Sequence, residues 1–170
     1  MADVLIISDS HGLREEIQMI KKRHNADVLI HCGDSELPAD AKELDDFVKV
    51  AGNCDLDRRY SNEEWHVIEN FNFFVTHGHL NQVKSSLLPL TYRANEVNAH
   101  VICFGHTHIA GSEKIDDRLY VNPGSIKMPK GEYGKTYTVL SCSHVNEIDV
   151  TFYSLNGEKI KALSNHYTLR

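Results

Sequence analysis

Residues 101–111, VICFGHTHIAG, close an apolar run with two histidines one residue apart. The pattern recurs along the chain: five strand-like runs end in Asp9-x-His11, Asp34, Asn53, His77 and His106-x-His108. All are metal-ligand types. Aspartate can share its two oxygens between cations, histidine offers an imidazole nitrogen, and asparagine a neutral carbonyl oxygen. In the two x-spaced pairs, an extended backbone would point both side chains the same way. Each piece alone has an ordinary reading: Asp9 and Ser10 as a helix cap, Gly33-Asp34 and Gly52-Asn53 as turn dipeptides, His77 as a hydrogen-bonded histidine. A metal site explains all five strand ends at once. Seven ligands are too many for one tetrahedral zinc and suit two metals sharing a carboxylate. Mixed imidazole and oxygen donors point away from calcium, or a magnesium held by oxygens alone, and toward manganese, iron, zinc or nickel. Two divalent ions are expected per chain, with manganese the leading choice and magnesium kept among the alternatives.

Such a site needs elements that bring five strand ends together. The runs 3-DVLIIS-8, 27-DVLIHC-32 and 47-FVKVAG-52 read as strands, the first followed by a helical pattern with Leu13, Ile17 and Ile20 on one face. The stretch 64–78 predicts two strands with a tight turn near Asn70. A helix is expected from Gln82 to Val97, with Pro89 kinking or splitting it. Beyond residue 111, the segments 113–122, 136–142 and 148–155 alternate like antiparallel strands, and Asn156-Gly157 is a hairpin signal. Alternating strands and helices followed by hairpins predict two facing sheets with helices outside. In an open parallel sheet, ligands bind beyond the carboxyl ends of the strands, where these residues lie.

The totals narrow the function. At 170 residues one domain, 1–170, is expected. A net charge of −6 argues against nonspecific nucleic-acid binding, which needs a basic surface. No apolar run is long enough to span a bilayer, and the N-terminus enters a strand directly, so no membrane partner and a cytoplasmic location are expected. Cys32, Cys54, Cys103 and Cys142 form no CxxC pair and read as reduced thiols.

DSHG, GD, GN, HG and GHTH, in this order and over nearly the whole chain, resemble the calcineurin-like metallophosphoesterase superfamily. GNCD at 52–55, THGH at 76–79, VNPGS at 121–125 and the short length are similar to its small bacterial and archaeal phosphodiesterases. The resemblance implies an α/β fold, a four-layer α/β/β/α sandwich with two facing mixed sheets and a dinuclear centre at their edge. It assigns Asp9, His11 and His108 to one metal, Asn53, His77 and His106 to the other, and Asp34 to both. The implied reaction is attack of a bridging hydroxide on phosphorus, in line with the leaving group. A small phosphoester is the implied substrate, and self-association into a homo-oligomer is compatible with the family.

One position departs from the pattern. Many members carry GNH, whose histidine stabilises the transition state or protonates the leaving group, where this chain has Cys54. A neutral thiol is a poor donor to an alkoxide, so good leaving groups are expected to be preferred. His79 is the nearest replacement acid, with Arg58 and Arg59 as candidate phosphate contacts beside Asn53. The alternative is a metal-stabilised interaction scaffold, resembling the retromer subunit of the same fold; there key ligands are lost, whereas all seven positions here carry competent residues.

Overall fold

Val4, Leu5, Ile6 and Ile7 are fully buried, as a strand covered on both faces requires. In the computed structural model, which describes residues 1–170, they belong to the first of eleven strands and two helices. The elements are β1 (Ala2–Ile7), α1 (Glu15–His24), β2 (Val28–His31), β3 (Phe47–Lys49), β4 (Glu63–Ile68), β5 (Phe71–Thr76), α2 (Leu88–Glu96), β6 (Val101–Cys103), β7 (Gly111–Ile115), β8 (Arg118–Asn122), β9 (Thr136–Cys142), β10 (Glu147–Ser154) and β11 (Asn165–Thr168). One sheet has the order β11-β10-β9-β1-β2-β3, the other β4-β5-β6-β8-β7. Within them β1, β2 and β3 run parallel, as do β5, β6 and β8, and the remaining pairings are antiparallel.

Strand alternation decides which layer each side chain fills. Val4 and Ile6 pack with Phe73, Val75, Val101 and Val121 of the second sheet, forming the layer between the sheets. Leu5 and Ile7 face the other way, onto Ile17 and Ile20 of α1. On the far side Phe74, Ile102 and Tyr120 face Leu90 and Ala94 of α2. The result is the α/β/β/α sandwich, with the carboxyl ends of both parallel sets at one edge.

Four local expectations are corrected. The helix expected from Gln82 begins only at Leu88, because Pro89 sits in its first turn, where a missing N–H costs nothing. Val83 and Leu87, outside the helix, still pack on the same core. Residues 113–122 are not one strand but fold back at Asp116, whose φ of 52° makes the turn between β7 and β8. Gly157 does turn the chain at φ 87°, yet only one bridge, Tyr153 with Lys159, follows it. β10 pairs on one side with β9 and on the other, over four residues, with β11, which the sequence reading did not contain.

Candidate metal centre

Each candidate ligand leaves a strand end at the same edge: Asp9 and His11 follow β1, Asp34 follows β2, Asn53 lies beyond β3, His77 follows β5, and His106 and His108 lie beyond β6. The backbone there is not extended, which corrects the expectation for the two spaced pairs. Asp9, His11, Asp34, His106 and His108 all have positive φ, between 40° and 67°. Aspartate and histidine tolerate this left-handed region better than branched residues, at about 1–3 kcal/mol each. The kinks turn each side chain inward instead of along the strand. Two glycines permit the crowding: a Cβ on Gly52 would collide with the Asp34 carboxylate, and one on Gly105 with Ser8 and the Asp9 carboxylate.

Three of the histidines are oriented in the same way. The Nδ1–H of His11 donates to Glu36 Oε1 at 2.8 Å, that of His77 to the Cys32 carbonyl at 2.7 Å, and that of His108 to the Met128 carbonyl at 2.6 Å. With Nδ1 donating, each neutral ring presents its Nε2 lone pair to the site. Those lone pairs face oxygens. His108, His11 and His77 bring Nε2 to within 3.0, 3.8 and 3.9 Å of Asp9 Oδ1. His77 Nε2 also lies 3.2 Å from Asp34 Oδ2 and 3.1 Å from Asn53 Oδ1.

Asp9 Oδ1 and His11 Nε2 are buried with no hydrogen-bond partner. Lone pairs from buried nitrogens and oxygens that converge without a donor between them call for a cation. The residues therefore fit divalent metal, in three overlapping groups: Asp9 with His11 and His108, Asp9 with Asp34 and His77, and, at the rim, His11 with Glu36 and Cys54. Without metal, protons take the cation's place. Burial lowers the pKa of His77, but Asp34 and Asp9 outweigh it and hold the ring above the usual value. The contact with Asp9 likewise raises His108. Burial also works against ionised Asp34, yet His77 and the Cys54 N–H, which donates to it at 2.8 Å, keep the carboxyl well below its ordinary range.

The other expected residues are placed less firmly. The His106 backbone N–H donates to Asp9 Oδ2 at 3.2 Å, and its ring stands edge-on to His77 with centroids 5.1 Å apart. Burial, with His77 and Lys84, pushes the His106 pKa down to about 4. The His79 ring lies 5.3 Å from that of His77, its pKa lowered by burial and by His77, and its buried Nδ1 has no partner. Arg58 is exposed. Arg59 is committed to its own loop, 2.7 Å from Asp57 and 2.8 Å from Asp40.

Residues to which the sequence reading gave no framing role build the frame. Asp55 accepts from the backbone N–H groups of Asp34, Gly52 and Glu36, at 2.8, 2.7 and 2.8 Å. Ser125 donates to the Asp9 carbonyl at 2.7 Å, and Lys127 Nζ to the His11 carbonyl at 2.6 Å. Buried His31 accepts from the Gly33 N–H at 3.1 Å through Nδ1 and meets Ser10 Oγ at 2.8 Å through Nε2, tying the first two ligand loops together. The available signals were Asp55 within GNCD and Ser125 within VNPGS, both turn-type residues beside ligand motifs.

The calcineurin-like phosphoesterase superfamily domain matches residues 2–145. The chain belongs to that superfamily. This metallophosphoesterase is 46% identical to the "Probable metallophosphoesterase YsnB" of Bacillus subtilis over 98% of its own length and 99% of that protein's. It is 30% identical to a phosphodiesterase of Methanocaldococcus jannaschii, covering 70% of this chain and 81% of the relative. A predicted phosphoesterase of Streptococcus pneumoniae superposes with a TM-score of 0.93 at 27% identity, over 98% and 97% of the two chains. Vps29 of Chaetomium thermophilum shares the fold, with a TM-score of 0.79 at 16% identity over 99% and 98%.

At the position that departs from the family pattern, burial and then Asp34 push the Cys54 thiol up to about 11. It stays protonated at neutral pH. Its sulfur accepts from Asn53 Nδ2 at 3.5 Å, which leaves Asn53 Oδ1 facing His77.

Proposed function

We propose that this metallophosphoesterase is a phosphodiesterase working with two divalent cations, manganese foremost, as one domain over residues 1–170. Asp9, His11 and His108 would hold one cation, Asn53, His77 and His106 the other, and Asp34 both. The observation that carries this reading is the orphaned Asp9 Oδ1 surrounded by three imidazole Nε2 atoms. When bound, two such cations activate water as a nucleophile and offset the charge of a phosphoester.

The chain's own residues set the rest. Cations in place of protons on His77 and His108 relieve the demand that the two aspartates make on those rings. Cys54, protonated and weakly acidic, offers an alkoxide no ready proton. His79 is the candidate acid, and its lowered pKa leaves it mostly neutral at pH 7. Substrates whose leaving group departs without a proton are therefore favoured. Arg58, exposed and outside the ion pairs that occupy Arg59, is the better placed of the two to meet phosphate; Arg59 would first have to leave Asp57.

The name of the archaeal relative supports diesters over monoesters. The likeness to Vps29 is one of fold alone, and the full set of seven ligand types favours catalysis over a scaffold. A small phosphoester, a cytoplasmic setting, a homo-oligomer and no nucleic-acid partner complete the proposal; no helix is long and apolar enough to cross a membrane. The test is hydrolysis of bis-p-nitrophenyl phosphate against p-nitrophenyl phosphate by metal-stripped protein, with Mn, Ni, Zn and Mg added singly. Metal-dependent cleavage favouring the diester is expected. Folded protein that cleaves neither ester with any metal would defeat the reading.

A further inference from the structure

A cleft of about 480 Å³ opens beside the centre, between the α2 side of the second sheet and the loop that carries His106 and His108. Its walls include Val83, Leu87, Phe104, Ile109 and Tyr120, an apolar lining of the kind that receives rings. Two contacts join it to the ligands. Thr107, between the two histidines, lines it, and Val83 fills the space that a Cβ on Gly78, next to His77, would occupy.

The cleft also carries charge. Lys84 and Lys130 line it, both exposed and in none of the chain's ion pairs. Lys130 is bridged to Ile109 and donates its backbone N–H to the His108 carbonyl at 2.9 Å, so it is anchored to the ligand loop. Glu113 is the one acid in the lining, leaving an excess of positive charge. On a chain of net charge −6, two lysines against one acid give this cleft a local positive balance. The metal centre would meet the scissile phosphate, so this charge is free for a second anionic group on the substrate.

Granted the phosphodiesterase reading, we propose that this cleft is the subsite for one ester arm of the substrate, and that it selects a ring-bearing arm with a second anionic group. The ring lies on Phe104, Leu87 and Ile109, and the extra anion meets Lys84 and Lys130. The metal centre then supplies the chemistry common to all diesters, and the cleft the choice among them.

The test uses three p-nitrophenyl diesters with the same leaving group and different second arms: methyl, thymidine through its 5′ oxygen, and the same thymidine with a 3′-phosphate. The Mn-loaded protein is expected to show a kcat/KM rising at least about tenfold from methyl to thymidine, as burial of a ring implies. A further rise of about fivefold is expected with the 3′-phosphate, the size of one exposed charge pair. The double variant Lys84→Ala/Lys130→Ala should lose the second rise while the ratio of thymidine to methyl ester stays as in the parent protein. Equal kcat/KM for all three esters, or a phosphate increment untouched in the variant, overturns the proposal.

Binding of thymidine 3′,5′-bisphosphate to metal-free protein, followed by calorimetry, reads the cleft without turnover. Binding that weakens in the double variant supports the subsite even if no diester is cleaved, in which case the phosphodiesterase reading alone falls. Equal binding by both proteins, or none by either, counts against the subsite.

Discussion

Asp9, His11 and His108 each meet one loop from behind, with Glu36 also holding the His11 ring, whereas the Asp34 backbone and its neighbours Gly52 and Glu36 hang on the single carboxylate of Asp55. In the first group Ser125 grips the Asp9 carbonyl, Lys127 the His11 carbonyl, and the Met128 carbonyl the His108 ring. In the second, Asp55 collects the N–H groups of Asp34, Gly52 and Glu36, and only His77 is anchored in the core, through the Cys32 carbonyl. Burial divides the residues less sharply: Asp9, His11, Asp34 and His77 are all buried, His106 and His108 are half-buried, and Asn53 of the second group is the exposed one. A site so built should have one cation position preformed and one that ordering of the loop completes.

The largest effect should come from Asp34, the carboxylate proposed to hold both cations. Asp34→Asn is expected to lower diester hydrolysis by roughly 10²–10³-fold and to weaken both cations, whereas His108→Ala should weaken chiefly one. Calorimetric titration with Mn separates the two patterns, and full activity in both variants would end the ligand assignment. Next come the positioning residues. Ser125→Ala should weaken the cation held by Asp9, His11 and His108 by roughly 10–100-fold and spare the other, and Asp55→Asn should do the reverse. If both variants lose the two cations together, the division between the groups is wrong.

Acidity should sharpen the contrast. His77 and His108 have raised pKa values in the metal-free protein, so below those values each cation must displace a proton. Metal affinity should thus fall as pH falls through the histidine range and level off above it. Affinity that is flat across that range, measured by titration at several pH values, would contradict the tautomers assigned to the two rings. The smallest effect is expected at Cys54, whose thiol is neutral: Cys54→Ser should change p-nitrophenyl diester hydrolysis by less than about threefold.

The seven ligand types could be read from the sequence because each directly follows a strand-like apolar run, a local signal. The layers followed as well, since Val4 to Ile7 announce a strand buried on both faces and the Ile17 and Ile20 spacing a helix covering it. What stayed hidden was non-local or conformational. Asp55 acts on Asp34 across a gap in sequence, and Ser125 on Asp9 across more than a hundred residues, so neither partner is visible from its neighbours. The left-handed backbone at the ligands has no signature beyond residue types that tolerate it. β11 depends on pairing with β10, and three of its four residues are too exposed for an apolar pattern to mark it.

The most direct test of the central claim is a count of cations. Metal-stripped protein loaded with Mn(II) and freed of excess by gel filtration should retain two Mn per chain by elemental analysis. Electron paramagnetic resonance should show the two ions spin-coupled through the shared carboxylate of Asp34. One isolated Mn per chain, or none, would contradict a dinuclear centre.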